Sequence, residues 1–319
     1  VNPLINNFFS SYAILEPATK LELVKAIFGQ INAQVMNQVL TQAFADQNSL
    51  VVIYSGPEKE GIATPTTEQL LQVVEEVKKS EIEAPVEETS NEPLMDPSTL
   101  AGGKVKKTSK TIYGATEWIL SNGARVVVLP TDHKKDQILF SFYKAGGESL
   151  IPTEDLPSFD GSIFSVFQGA QGLSKFKGTE LSKMLSGKMV SVNPFIDDLY
   201  NGISGNSSVK DLETAFQLLY LEFTDPRFDQ EEYDNATAQI KAVLPNLENT
   251  PNFALQKRVV KTLYHDDPRE EAISMEKVGK ANLQAIEKNY RRLFADVAGA
   301  TMVIVGDVNL DTLKPLVEK

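Results

Sequence analysis

His133 and His265 are the two histidines of the chain, and they set the first limit on its chemistry. A metal-activated water held for hydrolysis needs ligands on one helix face. His-x-x-Glu-His or His-Glu-x-x-His supplies two imidazoles plus a carboxylate to take the water's proton. The two histidines are far apart in sequence and neither motif occurs. The chain has no cysteine, so thiolate metal sites and disulfides are excluded. His133 sits in Thr131-Asp132-His133-Lys134-Lys135 and reads as a solvated loop residue. His265-Asp266-Asp267-Pro268 reads as a helix end turning at proline, where a cation complements the helix dipole.

Other chemistries fare no better. No serine sits in Gly-x-Ser-x-Gly; Gly202-Ile203-Ser204-Gly205 lacks that spacing and reads as a strand turn. Gly169-Ala170-Gln171-Gly172 lacks the third glycine of a dinucleotide fingerprint and the Gly-Lys-Ser/Thr of a phosphate loop. Glu231-Glu232 and Glu270-Glu271 are adjacent, and adjacent helical residues point apart, so neither makes an acid–base dyad. Arg258 and Arg291-Arg292 read as surface ion-pair formers. No catalytic, cofactor-binding or metal-binding residue is assigned.

Bulk properties narrow the classes. At 42% hydrophobic and 23% charged residues, the 319-residue chain has enough apolar content for sizeable cores and length for two units. A net charge of −12 repels nucleic-acid phosphates and anionic lipid surfaces alike. No apolar run approaches the ~20 residues that cross a bilayer.

The elements follow from periodicity. Val35, Met36, Val39, Leu40 and Ala43 make a helical stripe behind Asn32, a good N-cap. Leu50 to Tyr54 reads as a buried strand ended by Gly56-Pro57. Thr66 and Gln69 form a capping-box pattern ahead of Leu70, Val73, Val74 and Val77. Residues 80–110 carry Glu81, Glu83, Glu87, Glu88 and Glu92, prolines 85, 93 and 97, and Gly102-Gly103, and read as an acidic linker. Ser121-Asn122-Gly123-Ala124 between apolar runs is a strong hairpin signal. Strands are expected over 137–144, 189–202 and 301–305. Ser208 and Asp211 form a second capping-box pattern before a helix over 212–223, and helices fit 229–244, 251–264 and 282–294. Hairpins come first, then helices, then a strand, so an α+β fold with a mostly antiparallel sheet is favoured.

A weak internal repeat links the two ends. A gapless shift of 250 residues pairs Asn32, Gln34, Phe44-Ala45-Asp46 and Gly56 with Asn282, Gln284, Phe294-Ala295-Asp296 and Gly306. Each copy reads as a capped helix, an apolar strand and a glycine, followed by another helix: two related domains, the first lacking its front part.

These strings resemble the pitrilysin (insulinase-like) zinc metallopeptidases. Ile119 to Pro130 is similar to the opening hairpin of such a domain, and Gln137 to Ser149, closing on Ala145-Gly146-Gly147, to the strand that follows. Gly169 to Leu185, Leu212 to Arg227 and Met302 to Leu316 resemble later helices and the closing strand–helix pair. Leu50 to Pro57 resembles the end of a preceding domain. In active members the zinc motif follows shortly after the Ala-Gly-Gly-like strand end. Here that place holds Phe159-Asp160-Gly161-Ser162-Ile163-Phe164-Ser165-Val166-Phe167-Gln168, without histidine.

The resemblance implies a LuxS/MPP-like metallohydrolase fold and a parent of four similar domains in two halves that close around a peptide. Residues 1–79 are then the C-terminal part of one α+β domain, 80–110 the linker between halves, and 111–319 an inactive domain. It implies that zinc belongs to a catalytic half outside this chain, and that the partners are that half and a peptide substrate. A periplasmic or cell-envelope location follows from the same resemblance, and the acidic charge favours basic peptides. The competing expectation is a structural or partner-binding protein without peptidase activity.

Overall fold

The computed structural model describes residues 2–43, 50–56, 63–81 and 92–319. The chain divides into two units, Val1–Pro85 and Val86–Lys319.

The first unit contains helices α1 (Asn2–Ser10), α2 (Pro17–Phe28), α3 (Ala33–Ala43) and α4 (Thr67–Lys79). Asn32 accepts the Val35 N–H at 3.0 Å, and Thr66 and Gln69 close a reciprocal capping box, both as the sequence predicts. None of the four helices buries a residue. Leu50 to Tyr54 forms no strand. A β-branched run becomes a strand only when a neighbour takes its N–H and C=O groups; no ladder pairs this run among the described residues, and Ile53 is left 84% exposed. Phe44-Ala45-Asp46 of the repeat, and Glu83, Pro85, Glu87 and Glu88 of the expected linker, lie outside the described residues.

The second unit is built on a seven-stranded sheet in the order β1-β2-β3-β7-β4-β6-β5. Its strands are β1 (Val105–Lys110), β2 (Thr116–Leu120), β3 (Arg125–Pro130), β4 (Ile138–Ala145), β5 (Val190–Ile196), β6 (Tyr200–Ser207) and β7 (Thr301–Gly306). Only the β3–β7 pairing is parallel. The fold is therefore α+β with a mostly antiparallel sheet. The Asn122-Gly123 turn joins β2 to β3, with Gly123 at φ +88°, a conformation glycine adopts without Cβ strain.

Strand β1 lies inside the stretch read as linker. Its sequence, Val-Lys-Lys-Thr-Ser-Lys, looks like a solvated connector because it is an edge strand, where lysines discourage pairing with another chain. The Val105 N–H donates to Glu318 Oε1 at 2.9 Å, and Leu94 and Met95 pack against Leu173, Leu218 and Leu221.

Register places alternate residues on opposite faces. Trp118, Val126, Met302, Phe142 and Ile203 align across five strands, all buried. The helices of this unit are α5 (Gly161–Ala170), α6 (Gly178–Met184), α7 (Leu212–Thr224), α8 (Gln230–Glu248), α9 (Pro251–Tyr264), α10 (Met275–Lys280), α11 (Leu283–Leu293) and α12 (Leu310–Glu318), and α5, α7, α8, α10, α11 and α12 bring residues to the core over this face. An aromatic chain ties sheet to helices, with ring centroids 4.9 Å apart for Phe142–Phe223, 5.7 Å for Phe223–Phe294 and 4.3 Å for the stacked Phe294–Tyr290. Asn282 caps α11 as expected. The Ser208–Asp211 pair forms its two mutual hydrogen bonds, but α7 starts only at Leu212 and has no side-chain cap. Asp211 instead accepts the Met189 N–H at 2.8 Å, which fixes the start of β5 rather than the helix.

Glu222 of α7 is a charged residue type in this core, 5% exposed. The Tyr290 hydroxyl donates to its Oε2 at 3.0 Å. Burial pushes its carboxyl up to about 8, and the tyrosine hydrogen bond opposes this only in part.

Three outcomes are expected. Ile304 is fully buried at the middle of β7, and Ile304→Ala should cost about 2–5 kcal/mol in urea unfolding. Gly147 holds φ +62°, and a Cβ there would sit 2.0 Å from the Asp197 carbonyl, so Gly147→Ala should lower the melting temperature. Glu222 keeps its proton in the folded chain at pH values where the unfolded chain has lost it. Stability should therefore fall as pH rises from near 4.5 towards 8 and then level, by up to about 1.4 kcal/mol per pH unit. Glu222→Gln should remove that slope in unfolding curves taken across the range.

Candidate functional site

The resemblance sets a zinc motif in the region after the β4 strand end. Gly146 and Gly147 turn the chain, held by the buried Asn201, whose Oδ1 accepts the Gly147 N–H at 3.2 Å while its Nδ2 donates to the Leu293 carbonyl at 3.1 Å. Two short 3-10 turns, Gly147–Leu150 and Leu156–Phe159, lead into α5. Asp160 caps α5 by accepting the Ser162 N–H.

Helix α5 faces the core with Ile163, Phe164 and Phe167. The Phe167 ring meets Tyr233 of α8 edge-on at 5.8 Å, beside the buried Ala236, Thr237 and Leu244. An α5–α8 interface of this kind offers dispersion contacts and no metal donor set. The residues present do not fit a zinc ion. Among the described residues no group of three His, Cys, Asp or Glu side chains is placed to hold a metal.

Both histidines lie where the sequence puts them. His133 is exposed after β3, and His265 is the exposed left-handed C-cap of α9. Nothing brings either to α5. Glu231 and Glu232 lie in the first turn of α8, where Asp229 accepts their N–H groups. Glu271 stands beside Lys277: the Lys277 ammonium donates to the Glu271 carbonyl and pairs with Asp160 at 3.4 Å. Glu148, close to this group, is pushed up to about 7 by burial and by Asp198, with Lys277 opposing. Arg291 pairs with Glu287 at 2.8 Å and lies over the Phe228 ring, as a surface ion-pair former does.

The second sheet face differs from the first. Glu117, Val127, Val303, Ser141, Ser204 and Asn193 align across six strands, and each is half-buried or exposed. Leu129, Val305 and Leu139 align in a neighbouring row, with Leu139 49% exposed. Tyr143 and Tyr200 meet edge-on at 6.3 Å on the same face. This face mixes apolar, hydroxyl and amide groups, a surface that an extended peptide can line without leaving many polar groups unpaired.

Sequence reasoning missed Glu222. It sits one turn beyond Leu218 and Leu219 and next to Leu221, all buried, so a glutamate in phase with an apolar helix face was the available signal. It lines a pocket of about 320 Å³ with Ser165, Gln168, Ser182, Leu185 and Asn193. A second pocket of about 320 Å³, lined by Met95, Phe216, Phe223, Val297 and Leu316 among others, is mostly apolar.

No family model matches the chain. A protein of Arabidopsis thaliana named zinc protease PQQL-like is 24% identical over 318 residues, 98% of this chain and 30% of that protein. The crystal structure of the periplasmic protease PqqL from Escherichia coli superposes with TM-score 0.60 at 18% identity, over 99% of this chain and 35% of that one. A ferredoxin protease, FusC, solved in complex with Arabidopsis ferredoxin, superposes with TM-score 0.58 at 16% identity over 99% of this chain and 34% of that one. The chain thus spans about a third of the length of these three proteins. The sequence match and the shared fold agree with the pitrilysin-like resemblance of Ile119 to Pro130 and its neighbours: this chain is similar in sequence to proteins named as PqqL-type zinc proteases and shares the fold of the periplasmic protease PqqL.

Proposed function

We propose that this chain is a non-catalytic part of a zinc-dependent metalloendopeptidase, and that its open sheet face forms one wall of a chamber that holds unfolded peptides for hydrolysis. The observation that carries the reading is the pairing of that uncovered face with the apolar α5–α8 interface. The domain keeps the sheet of its relatives, while the helix at the zinc-motif position packs on phenylalanines. The relatives are named as zinc proteases, which supports the zinc and the proteolysis, and the share of their length that this chain spans leaves room for a catalytic half elsewhere in the same polypeptide. In this reading residues 1–79 belong to one domain and the sheet-bearing unit to another. The periplasmic location given for the Escherichia coli protein extends to this chain.

The test mixes the chain, zinc and a fluorescent unstructured peptide, and follows binding by anisotropy and cleavage by mass spectrometry. Binding without cleavage is expected, with affinity falling at least fivefold in Leu139→Asp and in Tyr200→Ser. Cleavage by the chain alone would end the non-catalytic reading. Affinity untouched by both substitutions would end the chamber-wall reading and leave a structural or partner-binding protein.

A further inference from the structure

The pocket beside Glu222 has features that packing alone does not require. Among the residues that line it, Glu222 is the one charged side chain. One carboxyl oxygen, Oε2, accepts from Tyr290, and among the described residues no donor reaches Oε1. No basic side chain shifts its carboxyl, which burial holds far above the ordinary carboxylate range. A buried carboxyl without a cation is costly to ionise, and it becomes an attractive site for any cation that can reach it.

The walls are fixed. Gly172 (φ +78°) and Gly178 are so closely packed that an added Cβ would lie 2.2 Å from the Phe176 carbonyl and 2.1 Å from the Ala170 carbonyl. The intervening loop is pinned to the end of α7, where the Ser174 hydroxyl donates to Asp225 at 2.6 Å and the Ser174 N–H to the Asp225 carbonyl at 3.2 Å. Edge strand β5 supplies Val192, Asn193 and Pro194 to the rim. Leu181, Leu185 and Val192 give apolar wall, and Ser165, Gln168, Ser182 and Asn193 give hydrogen-bonding groups.

An apolar wall leading to a lone carboxyl matches an alkyl stem that ends in an ammonium group. We infer that the pocket between α5, α6, α7 and β5 binds a protonated alkylamine of the kind a lysine side chain carries, with the ammonium paired to Glu222 and the stem along Leu181, Leu185 and Val192. A guanidinium is wider and planar, and it fits this single, one-sided carboxyl less well. The chain's net charge of −12 raises the local concentration of such cations. The inference rests on the peptide-wall reading only for the origin of the amine, which would be a lysine of a bound peptide.

The experiment titrates the isotope-labelled chain with N-acetyl-lysine amide, with N-acetyl-norleucine amide as the uncharged counterpart, and with putrescine as a free amine. Affinity is read from amide shifts in NMR spectra. The lysine compound should bind at least tenfold more tightly than the norleucine compound, with the largest shifts at Gly169, Gly172, Gly178 and Asn193. Glu222→Gln preserves the uncharged form of the empty pocket but cannot release a proton to become the carboxylate that an ammonium pairs with, so it should fold and lose that tenfold preference. Equal binding of the two amides, or a preference unchanged in Glu222→Gln, would overturn the inference. Putrescine binding as tightly as the lysine compound would overturn the peptide origin and leave a free-amine site. If the lysine compound seats but no unstructured peptide binds the chain, the site stands and the chamber-wall reading falls. If peptides bind equally with lysine or norleucine, the site falls and the wall stands.

Discussion

The sheet of the second unit exists as one sheet because of β7. Strands β3 and β4 follow each other in sequence but do not pair; β7, from near the other end of the chain, lies between them, parallel to β3 and antiparallel to β4. Remove it and the sheet separates into a β1-β2-β3 meander and a β4-β6-β5 group, each with one more unpaired edge. The closure entropy of so long a loop must be offset by side chains on β7 itself. Met302 and Ile304 are both buried, and each extends a row begun by the flanking strands: Val126–Met302–Phe142 and Val128–Ile304–Phe140. The helix before β7 depends on the same placement. Tyr290 and Phe294 of that segment reach Phe223 and Glu222 only because β7 draws the chain back onto the sheet.

Helices on one side leave the other side open. A sheet with both faces covered needs apolar residues at every position, whereas this one alternates: Val126 and Val128 buried, Val127 only partly. The alternation fixes the register, since a slip of one residue would put Glu117 into the core. The open face is therefore a consequence of sequence pattern. That pattern also rules out a doubly wound fold, which would hide both faces.

Local signals in the sequence were legible because their partners are near in the chain. The Asn122-Gly123 turn, the Asn32, Thr66 and Asn282 caps, and the periodic helices α7 and α11 each need only a few neighbouring residues. What failed depended on distant partners. Strand β1 reads as solvated linker because its pairing with β2 is the whole reason for its conformation. Leu50 to Tyr54 has the composition of a strand and no ladder among the described residues. Ser208 and Asp211 have the spacing of a helix cap, yet the Met189 N–H, distant in sequence, claims the carboxylate. The histidines were legible by their poverty: two, in polar surroundings, with no motif.

The α5 position and Glu222 illustrate two opposite ways in which sequence departs from structural need. At α5 every inward residue obeys the rules of a core: Ile163, Phe164 and Phe167 bury apolar surface, and burying that much gains several kcal/mol. A helix that carried zinc ligands would forgo that gain and recover it from the metal. The observed helix has no such debt, so its conformation is explained by packing alone. Glu222 breaks the rule at a position where leucine would satisfy it, between Leu221 and Phe223 and in phase with Leu218 and Leu219. Tyr290 meets one of its oxygens, which softens the desolvation cost without removing it. Consistency across levels is what makes a sequence specify a fold, and a residue that violates it without full local compensation marks a place where something other than stability shapes the choice. In this domain that place borders the pocket between α5 and α6, beside Ser165 and Gln168 of the segment that the resemblance sets at the zinc-motif position.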